Sequence, residues 1–307
     1  MARRIRVSAP AKVNLTLEVL GRRDDGYHEL ASVMATFGVH DDVSVSVART
    51  LDVRIAPSTG VAIGSDLATS AARALASATG REPRARIEVR KRIPVAAGLG
   101  GGSSDAGAVL RGLAQLWRVE GVDLAAVGAT VGSDVPFFAA GHPIARIGGR
   151  GERVDPMPPP ARELWIALVT IPVRVPTPSV FAALDPKHRG TAHATDALVR
   201  MLRSGDIDRV ALRSHLRNDL TNAAESVCPR VAEARAAAAA RGIDLALSGS
   251  GPSMFAVADD RAHAIRLARS LRVAGLRARP YRLADAYDTR HSPRLYTGAE
   301  PSAQPTL

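Results

Sequence analysis

The segment Pro94-Val95-Ala96-Ala97-Gly98-Leu99-Gly100-Gly101-Gly102-Ser103-Ser104 decides the fold of this 307-residue chain. Before it, Ile87 and Val89 alternate with charged residues, which predicts a strand. After it, apolar residues recur at helical spacing from Asp105 to Trp117, which predicts an amphipathic helix. The sequence therefore predicts a strand, a glycine loop and a helix in that order.

The glycine loop is suited to binding an anion. Glycine has no Cβ, so a ligand can approach the backbone closely, and N–H groups at a helix start attract negative charge. Ser103 and Ser104 could cap the helix or donate hydroxyls to phosphate oxygens. Three consecutive glycines exceed what a turn needs and cost backbone entropy, which favours phosphate binding over a plain turn. The loop lacks the P-loop lysine, and Ser103 replaces the third glycine of the dinucleotide motif, so neither common nucleotide motif fits.

Composition and charge indicate an ordinary soluble protein with one or two domains. Apolar residues make up 46% of the chain and charged residues 23%. The net charge of +11 makes an acidic partner plausible, and only Lys12, Lys91 and Lys187 among 41 basic residues are lysine. The single Cys228 predicts neither an internal disulfide nor a zinc site. We find no signal peptide and no apolar run long enough for a membrane span, so we expect a cytoplasmic protein.

The N-terminal half reads as strands followed by helices. Strict alternation over Val13 to Val19 predicts a half-buried strand, with Lys12 and Asn14 on the same side. The alternating runs Val43 to Val47 and Leu51 to Ile55 are close enough to predict a hairpin. Asp66 is a suitable N-cap for a helix that runs to about Thr79, and Asp123 for one that ends near Gly132.

Four prolines between residues 156 and 160 mark the expected domain boundary. We therefore expect an N-terminal domain over 1–160, a C-terminal α+β domain over 161–286, and a tail over 287–307. In the second domain, a strand is expected over Leu164 to Ile171, and two strands face each other across the turn Ser248 to Ser253. A helix from about Asp260 to Ala274 and a strand near Arg279 complete this part.

The glycine loop resembles the phosphate loop of the GHMP kinases, the superfamily named after galactokinase, homoserine kinase, mevalonate kinase and phosphomevalonate kinase. Four further segments match in order and spacing: Pro10-Ala11-Lys12-Val13-Asn14-Leu15, Asp25-Gly26-Tyr27-His28-Glu29-Leu30, Gly132-Ser133-Asp134-Val135-Pro136-Phe137-Phe138 and Ser248-Gly249-Ser250-Gly251-Pro252. The first three resemble the branch of the family whose substrate is CDP-methylerythritol. The resemblance implies a two-domain α+β fold, with a ribosomal-protein-like N-terminal domain and a ferredoxin-like C-terminal domain.

The resemblance also implies a reaction, transfer of the ATP γ-phosphate to the 2-hydroxyl of CDP-methylerythritol, with Mg²⁺. Asp134 corresponds to the family's catalytic aspartate, which accepts the proton of the hydroxyl, and Lys12 to the cation that keeps this aspartate ionised. Residues Pro94 to Ser104 correspond to the ATP-binding loop. The remaining residues that correspond to family positions are Gly249, Ser250 and Gly251 in the C-terminal glycine motif, and Asn14, Tyr27, His28 and Phe181 in the substrate site.

In that substrate site, Tyr27 and Phe181 are expected to cover the two faces of cytosine, and His28 to bond its edge. Asn14 is expected to contact the erythritol hydroxyls. One position departs from the family, which often has Asn-Leu where this chain has Asp66-Leu67, so a contact from Asp66 to the nucleotide stays open.

Two alternatives compete with this interpretation. A homoserine or mevalonate type of kinase would share the glycine loop, but the Tyr27-His28 segment and the Lys12/Asp134 pair favour the cytidine-containing substrate. An RNA-binding protein is suggested by the charge of +11, but arginine is spread over the whole chain and no aromatic-rich strand concentrates it. We therefore expect small-molecule partners, neither nucleic acid nor membrane, and a monomer or weak homodimer. We expect Mg²⁺ as a cofactor, but the sequence identifies no side chain as its ligand.

Overall fold

A computed structural model describes residues 4–60, 64–158, 160, 162–205 and 209–284. The expected tail over 287–307 lies outside these residues. The described strands are β1 (Arg4–Arg22), β2 (His28–Val47), β3 (Asp52–Ala56), β4 (Ala85–Arg90), β5 (Ile144–Gly149), β6 (Arg153–Pro156), β7 (Leu164–Thr170), β8 (Arg217–Asn218), β9 (Ala246–Leu247), β10 (Met254–Ala258) and β11 (Arg277–Leu283).

Helices occur in both halves of the chain. They are α1 (Leu67–Ala78), α2 (Gly101–Trp117), α3 (Leu124–Ala129), α4 (Val135–Ala140), α5 (Thr177–Ala182), α6 (His193–Ser204), α7 (Arg209–His215), α8 (Thr221–Val227), α9 (Pro229–Ala239) and α10 (Arg261–Val273). Mixed helices and mainly antiparallel strands confirm the α+β class. Among the described residues, no helix is both long enough and apolar enough to cross a bilayer.

The strands pair in one sheet that runs through both halves of the chain. Its main order is β3-β4-β2-β11-β7-β10-β9, while β1 and β5 also pair with β2. The two halves meet where Leu283 of β11 pairs with Phe37 of β2, and the Ala284 amide donates to the Thr36 carbonyl at 2.7 Å. Sheet pairing therefore joins the halves at the strand that carries the Tyr27-His28 segment at its start.

Two predictions for the N-terminal strands are wrong. Val43 to Val47 and Leu51 to Ile55 form no hairpin, because β4 lies between β2 and β3 and pairs antiparallel with the first and parallel with the second. The strand over Val13 to Val19 is buried on both faces rather than half-buried. Its polar side is covered in part by α6, whose Thr195 amide donates to Glu18 at 2.8 Å.

The predicted helix caps and C-terminal strands are confirmed. Asp66 accepts from the Thr69 amide at 2.8 Å, and Asp123 caps α3. The two strands that flank the Ser248 to Ser253 turn pair antiparallel, with Met254 opposite Leu247.

Candidate active site

A cavity of about 1170 Å³ brings together most of the predicted site residues. Its walls come from β1, the start of β2, the glycine loop, the start of α4, α5 and the Ser248 to Ser253 turn. The predicted site residues among its lining are Lys12, Asn14, Tyr27, His28, Pro94 to Ser103, Asp134, Phe181, Gly249 and Ser250. Ser104 and Gly251 are buried behind this wall.

The glycine loop turns through two residues that need positive φ. Gly98 has φ +73° and Gly100 has φ +70°, a region that side chains with Cβ rarely occupy. Helix α2 begins at Gly101, not at Asp105, so two of the three consecutive glycines lie in its first turn. The N-cap is Gly100, without a side-chain hydrogen bond, so the expected capping by Ser103 or Ser104 is wrong. The amide groups of the first turn, which have no partner within a helix, lie beside the cavity.

The C-terminal glycine turn packs directly on this loop. Ser248 Oγ donates to the Gly98 carbonyl at 3.0 Å, and the Ser253 amide donates to the Ala97 carbonyl at 3.2 Å. A Cβ on Gly98 would lie 2.4 Å from the Ser248 carbonyl oxygen and 2.7 Å from that of Gly251. Because Gly98 has no side chain, the loop can contact the Ser248 to Ser253 turn. The hydrogen bonds from this turn hold the loop in place.

Lys12 and Asp134 form an ion pair at the wall of the cavity. Lys12 Nζ lies 3.3 Å from Asp134 Oδ2 and 2.6 Å from Asn14 Oδ1. The lysine side chain is 4% exposed and that of Asp134 is 30% exposed, so the carboxylate faces the cavity with the cation behind it. Asp134 directly precedes α4 but caps none of its amides, which leaves its oxygens for other partners.

The strand of Lys12 and the glycine loop are held together by the backbone. The Lys12 amide donates to the Leu99 carbonyl at 3.0 Å. Asn14, which accepts from Lys12, also donates through Nδ2 to Ser32 Oγ at 2.8 Å. The ammonium therefore has a fixed position relative to both the loop and the carboxylate.

Tyr27, His28 and Phe181, the residues expected at a cytosine ring, all line the cavity, but His28 stacks on Phe181 instead of standing at the edge of the site. The rings of His28 and Phe181 stack with centroids 5.0 Å apart and planes at 28°. Tyr27 is 49% exposed, and the Arg150 guanidinium carbon lies 4.7 Å from the centre of its ring. One face of Phe181 is thus covered by His28, and one face of Tyr27 by Arg150.

His28 is held neutral at this position. Burial lowers the pKa of its imidazole below the usual value, and the positive charges of Arg189 and Arg22 lower it further. A neutral imidazole offers one donor and one acceptor nitrogen. This pair suits the edge of a heterocycle that also carries one donor and one acceptor.

The C-terminal glycine turn has a polar contact with α5. Thr177 Oγ1 and Ser250 Oγ lie 2.8 Å apart, and both residues line the cavity. Asp66, whose cap role is confirmed, also lines the cavity beside Leu67.

Sequence reasoning missed a charged cluster below the loop. Lys91 Nζ lies 2.5 Å from Asp41 Oδ2 and 2.6 Å from Asp105 Oδ2, and the three side chains are 6% exposed or less. Burial, opposed by the charge of Lys91, raises the pKa of Asp105 to about 7. The scarcity of lysine could have pointed to Lys91, because two of the three lysines in the sequence line this cavity. Across the described ranges, no group of three or more His, Cys, Asp or Glu is arranged to hold a metal ion.

Two family models match the chain. GHMP kinases N terminal domain matches residues 66–142, and GHMP kinases C terminal matches residues 196–275. The first match contains the glycine loop and Asp134, and the second contains the Ser248 to Ser253 turn.

Curated relatives extend over most of the chain. The 4-diphosphocytidyl-2-C-methyl-D-erythritol kinase of Paramagnetospirillum magneticum is 42% identical over 276 residues, which cover 87% of this chain and 94% of that protein. The protein of the same name from Kineococcus radiotolerans is 40% identical over 280 residues, with 86% and 84% covered.

Solved structures share the fold. A crystal structure of 4-(cytidine 5'-diphospho)-2C-methyl-D-erythritol kinase superposes with a TM-score of 0.73 at 36% identity and covers 91% of this chain and 98% of that one. The homoserine kinase of Cytophaga hutchinsonii superposes with a TM-score of 0.71 at 18% identity, covering 91% and 94%, a likeness of fold alone.

Proposed function

The chain belongs to the GHMP kinases, and we propose that the cavity described above carries out the reaction for which its 4-diphosphocytidyl-2-C-methyl-D-erythritol kinase relatives are named. It is an ATP-dependent kinase that phosphorylates the 2-hydroxyl of CDP-methylerythritol, a step of the non-mevalonate route to isoprenoid precursors. The observation that carries this proposal is the Lys12–Asp134 pair between the glycine loop and the Tyr27-His28 segment.

Asp134 is proposed as the base. Its exposed carboxylate accepts the proton of the 2-hydroxyl as the hydroxyl oxygen attacks the γ-phosphorus, and the bond to the β-phosphate oxygen breaks to release ADP. Lys12 stabilises the negative charge on the carboxylate and on the transferring phosphoryl group. Asn14 accepts a hydrogen bond from the Lys12 ammonium and is proposed to contact the erythritol hydroxyls.

The glycine loop is proposed to bind the phosphates of ATP. Its backbone amides and the start of α2 supply donors and a positive partial charge, and the reaction needs mainly alignment and charge stabilisation. Mg²⁺ is proposed to arrive with ATP as part of the substrate, since it needs few protein oxygens when phosphate oxygens bind it.

Cytidine is proposed to bind at Tyr27, His28 and Phe181. The neutral imidazole of His28 can donate to and accept from the cytosine edge. Arg150 covers one face of Tyr27 and His28 covers one face of Phe181, so cytosine is proposed to stack on the other face of each ring. Arg189 and Arg22, which both line the cavity near His28, are placed to attract the diphosphate.

A second candidate is a different small-molecule kinase of the same family, favoured only by the shared fold of the homoserine kinase. A coupled ADP-release assay separates the two, with CDP-methylerythritol, homoserine, mevalonate and galactose as acceptors. We expect turnover with CDP-methylerythritol alone. Turnover with another acceptor and none with CDP-methylerythritol would overturn the substrate assignment.

A further inference from the structure

We propose that Asp105, acting through Lys91, couples ATP binding to proton uptake, so that a proton binds Asp105 when the triphosphate enters the glycine loop. This inference rests on the proposed role of the loop in binding ATP phosphates. It concerns the cluster formed by Asp41, Lys91 and Asp105, called the loop cluster below, which the reaction above does not use.

The loop cluster joins the two ends of the glycine loop. Asp41, in the second half of β2, accepts from the backbone amides of Arg92 and Ile93, at 2.8 Å for Ile93, and from the Lys91 ammonium. Lys91, just after β4, reaches Asp105 in the first two turns of α2. One buried network therefore holds both the segment before Pro94 and the helix after Gly100.

The Lys91 ammonium lies directly at the start of α2. A Cβ on Gly101, the first residue of the helix, would be 3.4 Å from Lys91 Nζ. Both Lys91 and Asp105 line the cavity. An anion at the amides of this first turn would therefore be close to the ammonium, and the amides and the cation would attract it together.

The charges of the loop cluster do not balance. With both aspartates ionised, one ammonium faces two carboxylates in a nearly dry environment, and the cluster carries one net negative charge. Asp105 Oδ1 is buried and has no hydrogen-bond partner among the residues that the structure describes. A proton on Asp105 would neutralise the cluster and give this carboxyl group a donor.

The other charged groups on α2 and on the elements packed against it have other partners or are exposed. In β4, Arg86 pairs with Asp52, Glu88 pairs with Arg4 and Arg90 is exposed, and Arg111 of α2 donates to the Ser8 carbonyl.

The remaining neighbouring elements add no further charge at Asp105. Helices α3 and α4 carry no titratable side chain, and α1 carries only the exposed Arg73. Lys12 of β1 has its ammonium on Asn14 and Asp134. On either side of Asp41 in β2, the partly exposed His40 and Asp42 lie 3.7 Å apart, and Asp42 pairs with Arg92. The protonation of Asp105 is thus governed by burial, Lys91 and Asp41.

Phosphates in the loop change this balance. When Asp105 is ionised, its charge repels the triphosphate and competes for Lys91. When Asp105 is protonated, the attraction of Lys91 for the phosphates is no longer opposed by that charge. ATP therefore binds more tightly to the protonated form, and binding favours proton uptake.

The test is the pH dependence of nucleotide binding in the full chain. The probe is the Mg²⁺ complex of the β,γ-imido analogue of ATP, and its Kd is measured by calorimetry between about pH 6 and pH 8. In the wild type, we expect Kd to rise about three- to tenfold over this range. Asp105→Asn, a permanently neutral side chain of the same shape, should match the wild type at pH 6, bind more tightly than it at pH 8, and lose most of the rise.

The matched control is Asp123→Asn, the same change at an exposed cap of α3 outside the cavity. It should keep the wild-type pH profile. At pH 7.5, calorimetry in two buffers of different ionisation enthalpy should show more proton uptake in the wild type than in Asp105→Asn. The same pH slope and the same proton uptake in both proteins would overturn the role of Asp105. Failure of all three proteins to bind the analogue would instead contradict the proposed function of the loop.

Discussion

At the scale of single residues, the account depends on the carboxylate of Asp134. Asp134→Asn keeps the shape of the side chain but removes its ability to accept the proton of the hydroxyl. We expect kcat to fall by about 10²–10⁴-fold, the usual contribution of a general base. The affinity for the ATP analogue should stay within about twofold, because the proposed role of Asp134 is to contact the acceptor hydroxyl and not ATP. Steady-state kinetics together with calorimetry measure both quantities, and near-normal kcat would remove Asp134 from its role.

Lys12 should not be replaceable by arginine. Its ammonium lies against Asn14 and Asp134, a Cβ on Gly249 would lie 3.5 Å from Lys12 Nζ, and a Cβ on Gly100 would lie 3.0 Å from Lys12 Cγ. The longer planar guanidinium cannot occupy this space without moving the loop. We expect Lys12→Arg to lower kcat/KM by at least about 100-fold.

The matched control for Lys12 is Lys187→Arg, since the Lys187 side chain is 72% exposed and pairs with Asp185 at the surface. Its kcat/KM should equal that of the wild type. If both arginine variants retain full activity, the requirement for a compact cation at residue 12 is wrong.

At the scale of elements, the close contact between the glycine loop and the Ser248 to Ser253 turn should contribute to the free energy of unfolding. Gly98→Ala places a Cβ 2.4 Å from the Ser248 carbonyl at a backbone with φ +73°. Gly80→Ala has a similar φ of +61° but nothing within 4 Å of the new Cβ. We expect Gly80→Ala to cost about 1 kcal/mol of unfolding free energy and Gly98→Ala clearly more, because only the second adds a clash.

Urea unfolding at one temperature measures this difference. Equal losses in the two variants would show that the loop yields to the side chain without cost, and that the turn does not hold it.

Elements with local signals could be predicted from the sequence, while contacts between distant segments could not. Asp66 and Asp123 mark their helices because caps are local. The hairpin prediction failed because β4, distant in sequence, inserts between β2 and β3. The candidate site shows the same difference. Local motifs pointed to Lys12 and Asp134, but the burial of Lys91 is explained only by its contact with Asp41, which is fifty residues away in the chain. The domain boundary near residue 160 stays a prediction.

At the scale of the whole molecule, Asp105 should make stability depend on pH. Its pKa is raised to about 7 by burial, so between about pH 4 and pH 7 the folded chain keeps a proton that the unfolded chain loses. Unfolding free energy therefore falls as pH rises through this window. Asp105→Asn should be more stable than the wild type at pH 8, by about 2–4 kcal/mol, and the gap should close towards pH 4.

Thermal unfolding of both proteins at several pH values gives this comparison, with Asp123→Asn as the control for a lost charge. A constant gap between wild type and Asp105→Asn at every pH would show that folding does not raise the pKa of Asp105.

The central claim, that this chain transfers the γ-phosphoryl group of ATP to the 2-hydroxyl of CDP-methylerythritol, is tested most directly by proton-coupled ³¹P spectroscopy of the product. Carbon 2 of the methylerythritol unit carries no hydrogen, so a phosphate ester there gives one monoester resonance without a three-bond splitting by hydrogen. We predict this unsplit signal, formed together with ADP. A doublet or triplet, which a phosphate on a carbon bearing one or two hydrogens produces, or the absence of any new monoester, would contradict it.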